Sequence, residues 1–236
     1  MVDRPFRLFD APLSDCYEYL GGGRCDLCGK QAAHVFTLGV GSDTFQACPH
    51  CNEPAHIDSR PPVALRCHRC GTGIPARLLP EEPVCCAECL RLGLAAVTKD
   101  TELGMVRWED ARDGWTHGLP VSRLAGWELS EPNADGWSRV RVPSDLLLEH
   151  VRTPAYGTIQ GDHWLFCCKA PMIFVGTWSR ERFSSEAMDG NGSALLDLYL
   201  GRHIPGLWED ELHDQTGIYV FRCNACGKRR AHWDIG

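Results

Sequence analysis

The sequence lacks long apolar runs and any excess of positive charge. No run of about 18 apolar residues occurs, which excludes a bilayer-spanning helix. The start, MVDRPFRLFDAPLSD, places Arg, Asp and Pro where a secretory signal needs an apolar segment. We therefore expect a cytoplasmic protein with reduced thiols and no membrane partner. With 24 Lys and Arg against 31 Asp and Glu, the net charge is −7, which disfavours a chain dedicated to nucleic-acid binding.

Motifs of common catalytic sites are also missing. The sequence contains no HExxH, no Gly-x-Ser-x-Gly and no phosphate-binding glycine loop, and the glycines at 21–23 precede a cysteine pair. The segment PVCCAEC resembles part of a deaminase motif, but Pro83 does not directly precede Cys86 and no His-x-Glu lies upstream. Four-thiolate sites leave no open position for water on the metal. We expect that the protein is not an enzyme.

Cysteine is abundant and regularly spaced. Ten of the 14 cysteines form Cys-x-x-Cys pairs, namely Cys25/Cys28, Cys48/Cys51, Cys67/Cys70, Cys86/Cys89 and Cys223/Cys226. Three pairs continue with Gly, a pattern typical of a zinc knuckle, in which a tight turn directs two thiolates at one metal. The gaps between successive pairs up to Cys89 are 19, 15 and 15 residues, which fits the zinc-ribbon spacing of about 15–20. Structural zinc is favoured over packed thiols or a redox motif, since no βαβ pattern surrounds the pairs.

Spacing alone leaves open which pairs share a metal. We favour sequential pairing, with the first two pairs on one zinc and the next two on a second. AHVFTLG (33–39) and TFQAC (44–48) predict a hairpin closed by residues 41–43, which would bring the first two knuckles together. Nested pairing, with the outer pairs on one metal and the inner pairs on the other, is the alternative. Cys85 competes with Cys86 as a ligand, but the three-residue step to Cys89 favours Cys86.

The fifth pair has no second Cys-x-x-Cys to complete it. Cys167 and Cys168 are candidates, but neighbouring strand residues face opposite sides, so we expect only Cys168 to join Cys223 and Cys226. His163 or His232 would then supply the fourth ligand. The alternative is a tight turn whose thiols pack against Cys168 without a metal. The cofactors expected are two structural Zn²⁺ ions, with a third if this site forms.

Hydrophobic patterns predict an α+β protein in three parts. Tandem zinc ribbons occupy residues 1–100, an irregular connecting region 101–142, and a small α+β domain with the fifth knuckle 143–236. In the last part we predict helices after Pro143 and Asn191. Strands are predicted at 164–168, 172–178, 217–223 and 230–234.

Several of these segments resemble the CbrC family of bacterial proteins. The resemblance lies in TPAYGTIQGDHWLFCCKAPMIFVGTW, in the closing TGIYVFRCNACGKRRAHWDIG, and in FRLFDAPLSDCYEYL followed by CDLCGK and CPHC. Members of that family carry two N-terminal knuckles, whereas this chain carries four, so residues 52–90 resemble an inserted ribbon. CAECLRLGLAA is at least as similar to the family's second knuckle as CPHCNEPAH, which keeps nested pairing open. The family is named for tolerance to an E-type colicin, and no activity is attached to it.

The resemblance and the charge together favour a protein-binding module. An acidic chain suits a basic partner, and nuclease toxins are basic because they hold nucleic acid. The acidic segment WEDELHD (208–214) includes Trp208, a residue type common in interfaces, although a solvated loop is the simpler interpretation. The alternative is a nucleic-acid-binding zinc ribbon, supported by the basic tip 227–230 with His232 and Trp233.

Overall fold

The structure, a computed structural model, describes residues 5–39, 41–57, 65–75, 79–120, 126–211 and 216–236. The helices in these ranges are α1 (Ala87–Arg91), α2 (Trp108–Asp113), α3 (Ser144–Val151), α4 (Arg180–Glu186) and α5 (Gly192–Leu200). The first eight strands are β1 (Tyr19–Arg24), β2 (Gln31–Thr37), β3 (Ser42–Ala47), β4 (Pro54–His56), β5 (Leu65–Arg66), β6 (Gly73–Ile74), β7 (Val84–Cys86) and β8 (Ala95–Val97). The remaining strands are β9 (Leu119–Pro120), β10 (Trp137–Ser138), β11 (Phe166–Cys167), β12 (Ala170–Pro171), β13 (Ile173–Thr177), β14 (Thr216–Arg222) and β15 (Arg229–Ile235). No helix in the described ranges is long and apolar enough to cross a membrane.

The strands form small antiparallel sheets, and the α+β prediction is confirmed. Three sheets have three strands each, in the orders β1-β2-β7, β4-β3-β8 and β13-β14-β15. The pairs β5-β6, β9-β10 and β11-β12 form separate two-stranded ribbons. The predicted hairpin between residues 33–39 and 44–48 is wrong, because β2 pairs with β1 and β7, and β3 pairs with β4 and β8.

The largest hydrophobic cluster joins both ends of the chain. Phe6, Phe9 and Val35 pack in it with Trp164 and Phe221, and the buried cysteines of three Cys-x-x-Cys pairs belong to the same cluster. Phe9 and Phe174 are 5.1 Å apart between ring centroids, and a backbone bond from Asp10 N to the Phe174 carbonyl links the same segments. The three-part division of the chain stays a prediction.

Two further clusters surround this core. Val106, Trp108 and Val140 pack with α3 in one, and Trp178, Phe183 and the outer face of β14 form the other. A fourth cluster is much smaller and contains three buried residues, Cys48, Cys67 and Ile74. The lobe formed by β4, β5 and β6 therefore has little apolar core of its own, so other interactions must hold it folded.

Candidate metal centres

Four of the five cysteine pairs lie in turns that close short antiparallel hairpins. The last paired residues before and after each turn are Arg24 with Gln31, Ala47 with Pro54, Arg66 with Gly73, and Arg222 with Arg229. In each turn the first cysteine's N–H donates to a carbonyl five residues ahead, at 2.8–2.9 Å. Its own carbonyl accepts from the N–H four residues ahead, at 2.8–3.1 Å. Each hairpin thus folds a knuckle around its own two thiols.

The residue after the second cysteine has a left-handed backbone in all four turns. Three of these positions are glycines, Gly29, Gly71 and Gly227, with φ of 71–73°. In the second knuckle Asn52 takes the same conformation at φ 60°. Asparagine is the non-glycine residue that tolerates this region best, so CPHCN folds like the CxxCG pairs.

The fifth pair is built differently. Cys86 ends β7 and is the N-cap of α1, and Cys89 lies in the first turn of that helix. A three-residue step on a helix places both thiols on one side. The β2–β7 pairing, in which Val35 lies opposite Cys86, brings this pair beside the first knuckle.

The cysteines gather in three groups of four. The outer tetrad contains Cys25, Cys28, Cys86 and Cys89, the inner tetrad Cys48, Cys51, Cys67 and Cys70, and the C-terminal tetrad Cys167, Cys168, Cys223 and Cys226. Within each tetrad all Sγ atoms lie within 4.8 Å of one another. The favoured sequential pairing is therefore wrong, and the nested alternative is the arrangement found. The physical reason is that β7 returns to pair with β2, so the inner ribbon is a loop inserted into the outer site.

Sulfur–sulfur distances test whether a metal would fit. A tetrahedron with Zn–S bonds of about 2.3 Å has edges of about 3.8 Å. Two Sγ pairs of the outer tetrad are 3.8 and 3.9 Å apart, and two pairs of the inner tetrad are each 3.5 Å apart. In the C-terminal tetrad two Sγ pairs are 3.7 and 3.9 Å apart. These spacings match a tetrahedral ion held by four thiolates and are far longer than the S–S bond of about 2.05 Å in a disulfide.

Cys85 lies beside the outer tetrad but outside it. It is fully buried, its thiol donates to the Cys86 carbonyl at 3.4 Å, and interaction with the thiols of Cys25 and Cys89 raises the pKa of Cys85. The hydrogen bond from Cys85, with help from the backbone N–H groups of Cys28 and Cys86, lowers the pKa of Cys25 to about 3. Cys85 thus acts as a protonated donor that favours the thiolate of a neighbour, while Cys86 takes the ligand position.

The other two tetrads also contain a thiol that is readily deprotonated. The hydroxyl of Thr72, 3.2 Å from Cys70 Sγ, lowers the pKa of that thiol to about 6. Burial opposes ionisation of Cys223, but N–H groups of Cys226 and Ala225 outweigh it and lower its pKa to about 7. A partly ionised tetrad favours metal binding because ligands must lose their protons first.

The C-terminal tetrad includes both Cys167 and Cys168, which corrects the expectation that only one would reach the site. Cys168 and Lys169 form a two-residue turn between β11 and β12, with φ of 52° and 63°. Two successive left-handed residues are typical of a type I′ hairpin turn, and this turn ends the strand alternation on which the expectation rested. Nothing in the sequence around residue 168, which lacks Gly or Asn, signals that turn.

His163 and His232 lie outside the C-terminal tetrad, so neither is its fourth ligand. Their ring centroids are 4.7 Å apart, and His163 Nδ1 lies 3.8 Å from Asp100 Oδ2. Burial, and then the charge of His163, lower the pKa of His232 to about 4. These half-buried histidines form a cluster of their own with Asp100.

The basic tip at residues 227–230 is mostly neutralised within the fold. Arg230 forms a bidentate ion pair with Glu102, with N–O distances of 2.7 and 2.9 Å. Arg229 contacts Glu186 at 3.1 Å and lies 5.3 Å from the Trp178 ring centroid. Of the three cations, only Lys228 is exposed without such a contact among the described residues, which weakens the nucleic-acid interpretation.

Trp208, proposed from sequence as an interface anchor, packs at the edge of the cluster formed by Trp178 and Phe183. The guanidinium of Arg180 lies 5.5 Å from its ring centroid. The ring is half-buried and covered on one side, and residues 212–214 of the acidic segment lie outside the described residues.

Fold and sites together define a cysteine-rich α+β protein with three tetrahedral thiol sites. The family described as "Uncharacterised protein family (UPF0167)" matches residues 79–235, and the chain belongs to this family. The matched segment contains the C-terminal tetrad and the pair Cys86/Cys89, whereas the inner tetrad precedes it.

A curated relative supports the assignment. The chain is 28% identical over 141 residues to "UPF0167 protein PA1536" of Pseudomonas aeruginosa, which covers 50% of this chain and 73% of the relative. No solved structure matches the chain.

Proposed function

We propose that the protein is a cytoplasmic, zinc-stabilised module that binds another protein, and that each tetrad holds one structural Zn²⁺ ion. The observation that carries the proposal is that each of the three tetrads supplies four thiols at tetrahedral spacing. A metal held by four thiolates has no vacant position for water or substrate, and this favours a structural over a catalytic role.

Charge suggests the class of partner. The chain carries a net charge of −7, and two arginines of its basic tip are paired internally with Glu102 and Glu186. An acidic surface attracts basic proteins and repels nucleic acid. We propose a basic nuclease toxin as the partner, a role consistent with the CbrC-like motifs at 153–178 and 216–236. Neutralising such a toxin would protect the nucleic acid of the cell that contains the module.

The test is binding to the nuclease domain of a colicin-type toxin. We expect the wild-type protein to bind this domain, to inhibit its cleavage of DNA, and to lose affinity as salt is raised. Rescue of growth in cells that express the toxin domain gives a second readout. Retention on DNA together with failure to bind the toxin domain would favour the nucleic-acid alternative and contradict the proposal.

A matched pair of variants tests whether binding to the toxin domain depends on the outer tetrad. Cys16→Ala removes a buried thiol that belongs to no tetrad, and we expect it to bind like the wild type. Cys25→Ser removes a fully buried ligand of the outer tetrad in the main core, and we expect lost metal and lost binding together.

A further inference from the structure

The three tetrads differ in how many of their sulfurs face solvent. In the outer tetrad Cys28 is exposed and the other three cysteines are buried. In the inner tetrad Cys70 is exposed and Cys51 is half-buried. In the C-terminal tetrad Cys168 and Cys226 are exposed, Cys167 is half-buried, and only Cys223 is buried. Accessible thiolates are the ones that oxidants reach first.

The local structure leaves the C-terminal tetrad uncovered. Its two turns consist of Cys168–Lys169 and residues 224–228, and every one of these residues is exposed. Asn224 and Ala225 between the knuckle cysteines are too small to cover the sulfurs. Three cysteines of the outer tetrad, Cys25, Cys86 and Cys89, are buried in the main core, whereas Cys223 is the one cysteine of the C-terminal tetrad that is buried there.

From these observations we propose that the C-terminal tetrad is an oxidation site, at which a peroxide-class oxidant joins Cys226 to Cys167 and releases the zinc ion. The proposal rests on the zinc assignment made above and adds a covalent reaction to it. Cys226 is the exposed member of the pair, and its Sγ lies 3.7 Å from that of Cys167. Both cysteines lie in or beside hairpin turns, so closing this gap to the bond length of about 2.05 Å needs only a small turn movement.

The chemistry balances in two steps. The Cys226 thiolate attacks one oxygen of hydrogen peroxide, the O–O bond breaks, water leaves after taking up a proton, and Cys226 becomes a sulfenic acid. The Cys167 thiolate then attacks the Cys226 sulfur, and the S–O bond breaks with loss of hydroxide. Two electrons pass from two thiolates to one peroxide. The zinc ion loses two of its four ligands, and Cys168 and Cys223 alone hold it too weakly to retain it.

The experiment follows the released zinc and the oxidised cysteines in the same sample. Purified metal-loaded protein is treated with increasing hydrogen peroxide, a chromogenic chelator measures the zinc, and differential alkylation with mass spectrometry locates the disulfides. We expect the first equivalent of zinc to leave together with formation of the Cys167–Cys226 disulfide, while the inner and outer tetrads stay reduced and loaded.

Two variants sharpen the result. Cys226→His keeps a zinc ligand but removes the sulfur that forms the disulfide, so the early release of zinc should be lost although the site still binds metal. Cys16→Ala, outside all tetrads, should release zinc like the wild type.

The outcomes separate this proposal from the zinc assignment. In one case the protein holds three equivalents of zinc before treatment, but peroxide first oxidises the inner or outer tetrad, or zinc leaves all three tetrads at the same time. This result would overturn the oxidation site and leave the zinc assignment intact. A C-terminal tetrad that is reduced and metal-free in the purified protein would overturn the zinc assignment there, and the release step with it.

Discussion

At the scale of single residues, each knuckle depends on one backbone conformation. Three knuckles obtain it from glycine, and the fourth obtains it from Asn52 at φ 60°. The CxxCG pattern predicts the left-handed conformation at the three glycines. It does not predict that Asn52 takes the same conformation, because asparagine adopts many others. The same limit applies to Cys168, whose left-handed turn has no sequence signature.

We predict that Asn52→Gly leaves zinc affinity of the inner tetrad unchanged, whereas Asn52→Val weakens it. A β-branched residue in the left-handed region costs about 1–2 kcal/mol, which the folded knuckle would have to absorb. Competition with a chelator of known affinity measures the difference. Equal zinc retention by the two variants would show that this turn does not need the left-handed conformation.

A substitution at Arg230 tests whether the basic tip stabilises the folded protein. It donates to both carboxylate oxygens of Glu102 and, at 2.8 Å, to the carbonyl of Phe166. We predict that Arg230→Ala lowers the free energy of unfolding by about 1–3 kcal/mol, because the half-buried Glu102 carboxylate loses its positively charged partner and keeps, among the described residues, only the hydrogen bond from Phe166 N. Lys228→Ala, at an exposed position of the same tip, is the control and should change little. Urea denaturation gives both values, and equal stabilities would refute the structural role of Arg230.

The lowered pKa of His232 predicts that the stability of the protein depends on pH. Burial and the neighbouring His163 lower its pKa to about 4, against an ordinary value of 6.5. The unfolded chain therefore binds a proton more readily, so the stability that neutral His232 contributes is present above about pH 6.5 and is lost as the pH falls towards 4. In His232→Gln this contribution is absent, so its unfolding free energy should fall less than that of the wild type between pH 7.5 and 5.5. Parallel pH dependences of the two proteins would contradict the prediction.

At the scale of elements, the local sequence pattern predicted where strands and helices form better than it predicted which strands pair with each other. The predicted helices after Pro143 and Asn191 correspond to α3 and α5, and the strand 217–223 corresponds to β14. Both β2 and β3 were predicted, but β3 switches partner along its length, from β8 at Ser42–Thr44 to β4 at Phe45–Ala47. Strands that pair with β3 can lie far from it in the sequence, and the local pattern of residues in β3 does not indicate which strand will pair with it. α4 was not predicted, although its N-cap, Ser179, accepts from Arg182 N at 3.3 Å.

We expect the lobe formed by β4, β5 and β6 to depend on its proposed metal more than the other elements do on theirs. Its apolar cluster holds three buried residues, so we expect the proposed zinc ion to supply most of its folding free energy. We predict that Cys67→Ser loses one equivalent of zinc and loses amide protection in residues 48–57 and 65–75, while β13, β14 and β15 stay protected. Hydrogen exchange by mass spectrometry maps the loss, and Cys16→Ala is the control. Full protection of this lobe without zinc would show that its apolar contacts suffice.

At the scale of the whole molecule, the cysteines of the inner tetrad lie in the sequence between the two halves of the outer tetrad. The cysteine count and spacing predicted tetrahedral sites, and the fold class followed from the short strands. The nested order could not be chosen from spacing alone, because the gaps of 19, 15 and 15 residues between neighbouring pairs all fit a ribbon, and spacing does not show which pairs enclose an inserted ribbon. It follows from long-range contacts, since Asp26 N donates to the Val84 carbonyl at 2.7 Å and holds the first knuckle against β7.

The most direct test of the account is the metal content of the purified protein together with the coordination of that metal. We predict three equivalents of zinc per chain, one for each tetrad. X-ray absorption should show four sulfur neighbours at about 2.3 Å and no nitrogen or oxygen ligand. Fewer than three equivalents, iron in place of zinc, nitrogen or oxygen in the first coordination shell, or cystines within the tetrads would contradict it.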